Sequence, residues 1–290
     1  MKKLLSLYGL KWNPFSPGLP SEAIIRTQKF DHFCWRVENL ALEGGFALIT
    51  GDSGHGKSIS MRALSDHMAK IREITVGEFS RPQSGIADFY RELGALFSVE
   101  LKVSNRYGGY RLLRDKWKTH IESTLLRPLL LIDEAQECLP QVLSELRLLS
   151  SSEFDSKLLL TVVLAGDSRL NAQLKLPELI PLGTRIRTRL MLEAYTKQEL
   201  LFFLEEGCRR AGNAKLLTDG LQHTLVEHSA GNPRILMTIA GEVLALGMKK
   251  EVSVLDEALY LDLYNPQSRS GPSKKTRHEE KTRPEDRMNS

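Results

Sequence analysis

The segment Gly51-Asp52-Ser53-Gly54-His55-Gly56-Lys57-Ser58 sets three glycines, two serines and a lysine directly after an apolar run, Phe46 to Thr50. Such a loop is poor material for a core. Its glycines let backbone N–H groups close on phosphate oxygens with no side chain in the way. A helix that follows adds its positive N-terminal end. In this spacing Lys57 reaches the outer phosphates and Ser58 offers its hydroxyl to Mg²⁺. A glycine-rich turn matches the pattern by accident roughly once in a hundred chains of this length, and more rarely between a strand and a helix. Residues 51–58 are therefore read as the seat of a nucleoside triphosphate.

A second cluster supports this reading. The apolar run Leu129 to Ile132 leads straight into Asp133-Glu134-Ala135-Gln136. Acids at the end of a buried parallel strand stand beside the phosphate loop of the same sheet. Asp133 would hold Mg²⁺ through water, and Glu134 would orient or deprotonate the attacking water. The plainer alternative is a helix start that favours acids. A third apolar run, Leu158 to Ala165, ends in Gly166-Asp167-Ser168, which places a polar side chain toward the γ-phosphate. An acid is an odd neighbour for an anion, so Asp167 and Ser168 both stand as candidates. Arg234 opens a late helix after Gly231-Asn232-Pro233, with a solvated arginine as the alternative. Arg185, Arg187 and Arg189 alternate just before the helical part of the chain, a spacing that suits a finger reaching a neighbour's nucleotide.

These residues need a scaffold, and the chain supplies one. Strand-like runs at 46–50, 73–78, 128–132 and 158–165 alternate with helical spacing over 57–72, 87–97 and 110–126. That order predicts an α/β fold with a doubly wound parallel sheet, whose ligands sit at the carboxyl ends of the strands. Beyond about Leu192 only helices are expected. Thr196-Lys-Gln-Glu199 is a capping box, and Asn232-Pro233 is a cap followed by proline at the first helical position. The expected division is a nucleotide-binding domain over 1–192, a small all-α lid over 193–264 and a disordered polar tail over 265–290.

Composition narrows the class further. Three cysteines, Cys34, Cys138 and Cys208, show no paired spacing, which argues against a disulfide framework or a zinc site. The start, Met1 to Leu10, superficially resembles a secretory leader but is cut short by Lys11 with no cleavage site after it. No run of about 18 apolar residues appears, so no membrane span is expected and a cytoplasmic location is. Net charge is +4, and residues 266–290 carry seven Lys/Arg against four Asp/Glu, leaving the body near neutral. One local surplus remains, six basic residues against one acid between Lys102 and His120.

The chain resembles an AAA+ ATPase, and within that group the ExeA-like branch. The similar stretches are Tyr8-Gly-Leu-Lys-Trp-Asn-Pro-Phe15, Gly44 to Gly51, Leu131-Ile-Asp-Glu-Ala-Gln136, Leu164-Ala-Gly166 and Gly231-Asn-Pro-Arg234. The resemblance implies a P-loop NTPase fold with Asp167 at the sensor 1 position, Arg185 at the arginine finger and Arg234 at sensor 2. It also implies that Asn13 and Phe15 help wall the adenine of ATP. His55 is unusual inside such a loop, as is the acidic Asp167 at its position.

Members of this branch do different work. The secretion ATPases of the ExeA and GspA kind carry a membrane helix and a peptidoglycan-binding region after the ATPase, neither of which is expected from this sequence. Stand-alone members resemble transposition ATPases of the MuB, IstB and TnsC kind. That likeness implies a homo-oligomeric ring or filament on double-stranded DNA, ATP between protomers, and a DDE-type transposase as partner. Arg81, Lys102, Arg106 and Arg111, interleaved with Tyr107, Tyr110 and Trp117, are the candidate non-specific DNA contacts. The plainer alternative is a solvated helix face with its aromatics turned to the core. Part of this stretch, "SNRYGGYR", reads as a loop. A secretion or envelope-assembly ATPase, or a switch ATPase acting on a protein partner, are the alternative functions.

Overall fold

A computed structural model of the chain describes residues 2–100, 106–153 and 156–264, apart from the side chains at 2–4 and 106. Lys102 and the polar tail lie outside the described residues. In chain order the first half contains α1 (Lys2–Tyr8), α2 (Gln28–Glu43), β1 (Gly45–Gly51), α3 (Lys57–Met68), β2 (Ile74–Phe79), α4 (Ile86–Leu96), α5 (Arg106–Thr124) and β3 (Arg127–Ile132). Then come α6 (Pro140–Ser150), β4 (Ser151–Ser152), β5 (Lys157–Leu158), β6 (Thr161–Gly166), α7 (Ser168–Gln173), α8 (Ile180–Gly183) and β7 (Ile186–Leu192). Four helices close the described chain: α9 (Lys197–Ala211), α10 (Asp219–Ser229), α11 (Pro233–Lys250) and α12 (Glu257–Tyr264).

Five strands form one parallel sheet in the order β2-β3-β6-β1-β7, while β4 and β5 make a short antiparallel ladder. Because successive side chains point to opposite faces, each central strand feeds two cores. Phe46, Leu48, Leu130, Ile132, Val162 and Leu164 pack on one face with residues of α4 to α7. Ala47, Ile49, Leu129, Leu131, Val163 and Ala165 pack on the other with α2 and α3. Burial on both faces explains why β1, β3 and β6 read as unbroken apolar runs. Removing Leu164, which is fully buried, is expected to cost about 2–5 kcal/mol in a Leu164→Ala variant. Trp35→Ala, at a side chain 58% exposed, should stay within about 0.5 kcal/mol. Urea midpoints of the two variants check this.

The helices α9 to α12 enclose a third core around Leu200, Leu204, Leu225, Leu236 and Leu244, which Tyr8, Leu10 and Phe15 also join. Several expectations need correction. The helix opened by Lys57 ends at Met68 rather than continuing to Arg72. The apolar run 158–165 breaks between β5 and β6. The stretch read as a loop before Tyr110 is helical from Arg106 onward, with Gly108 and Gly109 inside α5. Each glycine costs a helix about 1 kcal/mol, but Leu113 and Trp117 on the same helix are fully buried, and Trp117 meets Phe97 edge-on at 5.3 Å. Burial outweighs propensity there.

Candidate nucleotide site

Register brings the candidate residues to one edge. Thr50 pairs with Gly166, Gly51 with Leu192 and Ile132 with Leu164, so the carboxyl ends of β1, β3, β6 and β7 finish side by side. Residues 51–58, Asp133-Glu134, Asp167 and the connector to α9 all leave the sheet from this edge.

The loop takes the backbone shape that its glycines permit. Gly54 and Gly56 sit at φ +88° and +98°, a region that other residues avoid. Lys57, at the first position of α3, is 6% exposed, and its Nζ donates to the carbonyls of Gly51 at 2.9 Å and Asp52 at 3.1 Å. Asp52, Ser53 and Ser58 are exposed, whereas His55 is buried with no hydrogen-bond partner on its Nδ1.

Next to the loop lies a cleft of about 640 Å³. Gly54, Gly56, Lys57, Ser58, Glu134 and Arg234 line it, as does Phe15. The apolar wall is completed by Ile24 and Phe30, and by Tyr195, Phe203 and Met237 from the helical unit and its connector. None of these last five was picked out from sequence. Their apolar types serve equally well in a core, so only the fold separates wall from core. Asn13 braces the wall: its side chain accepts from the Phe15 N–H at 3.0 Å.

The acid pair is held by its own turn. Glu134 stands at φ +51° with its N–H donating to Asp133 Oδ1 at 2.9 Å. Gln136 donates through Nε2 to the Glu134 carboxylate and accepts at Oε1 from the Asp167 N–H at 3.2 Å. Gln136 thus bridges the ends of β3 and β6, a position the sequence reading passed over. Asp167 caps α7 by accepting from the Arg169 N–H at 2.8 Å, and it pairs with the Arg169 guanidinium at 2.9 Å. Hydrogen bonding from the Arg169 side chain holds its carboxyl below the usual carboxylate range. Its charge is therefore turned toward Arg169, which also pairs with Glu137 at 2.9 Å.

The arginines separate. Arg234 donates to Ser53 Oγ at 3.0 Å, so it meets the phosphate loop. Arg185 lies just before β7, donates to the Pro181 carbonyl at 2.6 Å and does not line this cleft. Arg187 and Arg189 project from the exposed side of β7. Arg81 is exposed in the loop after β2. Arg111 is exposed on α5 with its guanidinium 5.9 Å from the ring centre of Tyr107, itself 70% exposed.

The cysteines take no part. Burial pushes the thiols of Cys34, Cys138 and Cys208 up to about 12. Near pH 8 they should stay protonated and resist a thiol reagent until the chain is unfolded in denaturant. Fast native labelling of all three would contradict their burial.

Residues 41–174 match the family model described as an AAA domain. General secretion pathway protein A of Aeromonas hydrophila is 32% identical over 243 residues, covering 82% of this chain and 43% of that protein. The chain thus spans less than half the length of that relative. Cdc6p of Pyrobaculum aerophilum has a similar structure, with a TM-score of 0.67 at 15% identity, covering 83% of this chain and 67% of that one. The ORC1 protein of Aeropyrum pernix, solved in complex with DNA, gives 0.64 at 14% identity over 88% and 68%. At such identities the structural likeness speaks for the fold alone. With its parallel five-stranded sheet and its phosphate-loop geometry, the chain has the AAA-type P-loop ATPase fold, the AAA domain lying at residues 41–174.

Proposed function

We propose that the chain is an AAA+ ATPase that binds ATP with Mg²⁺, assembles as a ring or filament on double-stranded DNA, and regulates transposition with a DDE-type transposase as partner. The observation that carries the ATPase reading is the cleft, which gathers Lys57, Ser58 and Glu134 with apolar side chains such as Phe15, Ile24 and Met237. ATP laid along it would place its phosphates on residues 51–58 and its base against Phe15, Ile24 and Met237. Glu134 would take the proton of the attacking water, with Gln136 orienting its carboxylate. Arg234 would touch the phosphates from the lid, and Arg185 those of a neighbouring protomer.

The Ser58 hydroxyl on the cleft and the Asp133 carboxylate beside Glu134 are hard oxygen donors of the kind Mg²⁺ takes one or two at a time, with substrate phosphates completing its shell. Ser58 and, through water, Asp133 would hold it there, where its charge would offset that of the phosphates.

Exposed Arg81 and the Arg111–Tyr107 pair support the DNA part, since guanidinium groups contact phosphates and aromatic faces stack on bases. The transposase rests on the resemblance read from the sequence. A second reading, an ATPase of secretion or envelope assembly, is favoured by the 32% identity to General secretion pathway protein A. Among the described residues no helix is long and apolar enough to cross a membrane. The first reading would place the work in the cytoplasm.

Two measurements test these roles. Lys57→Ala should weaken binding of a fluorescent ATP analogue about 10- to 100-fold, the worth of a hydrogen bond to a charged group. Anisotropy of labelled duplex DNA should rise on adding chain and ATP, and fall between about 50 and 200 mM salt. Binding to phospholipid vesicles with none to DNA would favour the secretion reading.

A further inference from the structure

Asn232 holds two structures at once. As the N-cap of α11, its Oδ1 accepts from the N–H groups of Arg234 at 3.0 Å and Ile235 at 3.4 Å. Its Nδ2 donates in the other direction, to the Ser53 carbonyl in the phosphate loop at 3.0 Å. Serine and aspartate cap helices about as well as asparagine does. The amide carries its acceptor and its donor on two separate atoms, so it accepts from the helix while reaching a second element, whereas a hydroxyl must do both through one oxygen on a shorter arm.

The contact is tight and reinforced. A Cβ on Gly54 would lie 2.3 Å from Asn232 Oδ1, so this glycine serves the lid as well as the loop. The Arg234 N–H also reaches the Gly54 carbonyl at 3.3 Å, while the Arg234 guanidinium holds Ser53 Oγ. Behind the cap, Gly231 at φ +79° accepts from the Tyr195 N–H at 2.9 Å, and the Tyr195 hydroxyl reaches the His55 carbonyl at 3.5 Å. The first turn of α11, the connector and the phosphate loop are one hydrogen-bonded unit with Asn232 at its centre.

We propose that Asn232 is a positioning residue that ties the first turn of α11 to the phosphate loop, so that phosphate binding sets where Arg234 stands. This rests on the ATPase reading. A shift of Ser53 and Gly54 around bound phosphates is passed through the Asn232 amide to the helix that carries Arg234. Without that amide the helix keeps its cap but loses its registration on the loop.

The test is a double-mutant cycle with Asn232→Ser and Arg234→Ala, read by ATP turnover and by binding of a fluorescent ATP analogue. Asn232→Ser keeps a cap and removes the reach to Ser53. It should melt near the wild-type temperature and lose about tenfold in kcat/KM, with the kcat and KM shares reported separately. In the Arg234→Ala background the same change should cost less than about twofold. A full tenfold loss in both backgrounds, or none in either, overturns the coupling. If serine proves a poor cap, Asn232→Asp keeps the cap, has no donor at all and should show the same non-additivity. A wild-type chain that binds the analogue but never turns over ATP would strike the hydrolysis reading instead, and the cycle in binding would still decide the coupling.

Discussion

Glu134→Gln is expected to bind ATP with near-native affinity and to hydrolyse it about 10²- to 10⁴-fold more slowly, the span that a positioned general base contributes. Gln is nearly isosteric with Glu, so the left-handed turn at φ +51° and the Asp133 bond to its N–H should survive. What disappears is the carboxylate that Gln136 orients and that faces the cleft. ATP-bound chains would then accumulate, and the DNA-bound assembly should outlast that of the wild type. A stopped assay separating bound ATP from ADP and phosphate measures this directly. Normal turnover in the variant would remove Glu134 from its assigned role.

Arg185→Ala should separate two events that the proposed assembly would couple. ATP binding by the isolated chain should be unchanged, because Arg185 does not line its own cleft. Turnover in the assembled state should fall about 10³-fold or more, the contribution of an arginine finger supplied from a neighbour. Mixing Arg185→Ala with Glu134→Gln offers an internal check. On the proposed assembly a Glu134→Gln protomer would lend its intact Arg185 to a neighbour whose Glu134 is intact, so mixtures should recover turnover that neither variant shows alone. No recovery at any ratio would place the catalytic arginine elsewhere, with Arg187 and Arg189 on the exposed side of β7 as the next to examine.

The two sites differ in how plainly the sequence announced them. The place of residues 51–58 and Asp133-Glu134 at one edge of the sheet was legible because buried apolar strands precede both. The sheet was legible for the same reason: β1, β3 and β6 are buried on both faces. β7 is an edge strand, and its arginines masked a period of two that only the buried Ile186, Thr188 and Leu190 reveal. The sequence showed Asn232 as a cap, which the geometry of α11 bears out, but its bond to Ser53 and the bridging role of Gln136 were hidden for another reason. An amide takes its meaning from what stands on either side of it, and both partners come from distant parts of the chain. Asp167 illustrates the converse: the sequence left it and Ser168 as alternatives toward the phosphates, and Arg169, two residues on from Asp167, claims its carboxylate. The wall of Ile24, Phe30 and Met237 carries no chemical signature, and folding alone brings it to the cleft.

The central claim, an ATP-hydrolysing site that works through assembly on DNA, is tested most directly by one measurement. Phosphate release from ATP and Mg²⁺ would be followed with and without linear double-stranded DNA, at about 50 and 200 mM salt. Stimulation by DNA that fades at the higher salt, and that vanishes in Glu134→Gln, is the predicted result. Turnover that DNA leaves unchanged at both salts would contradict the claim.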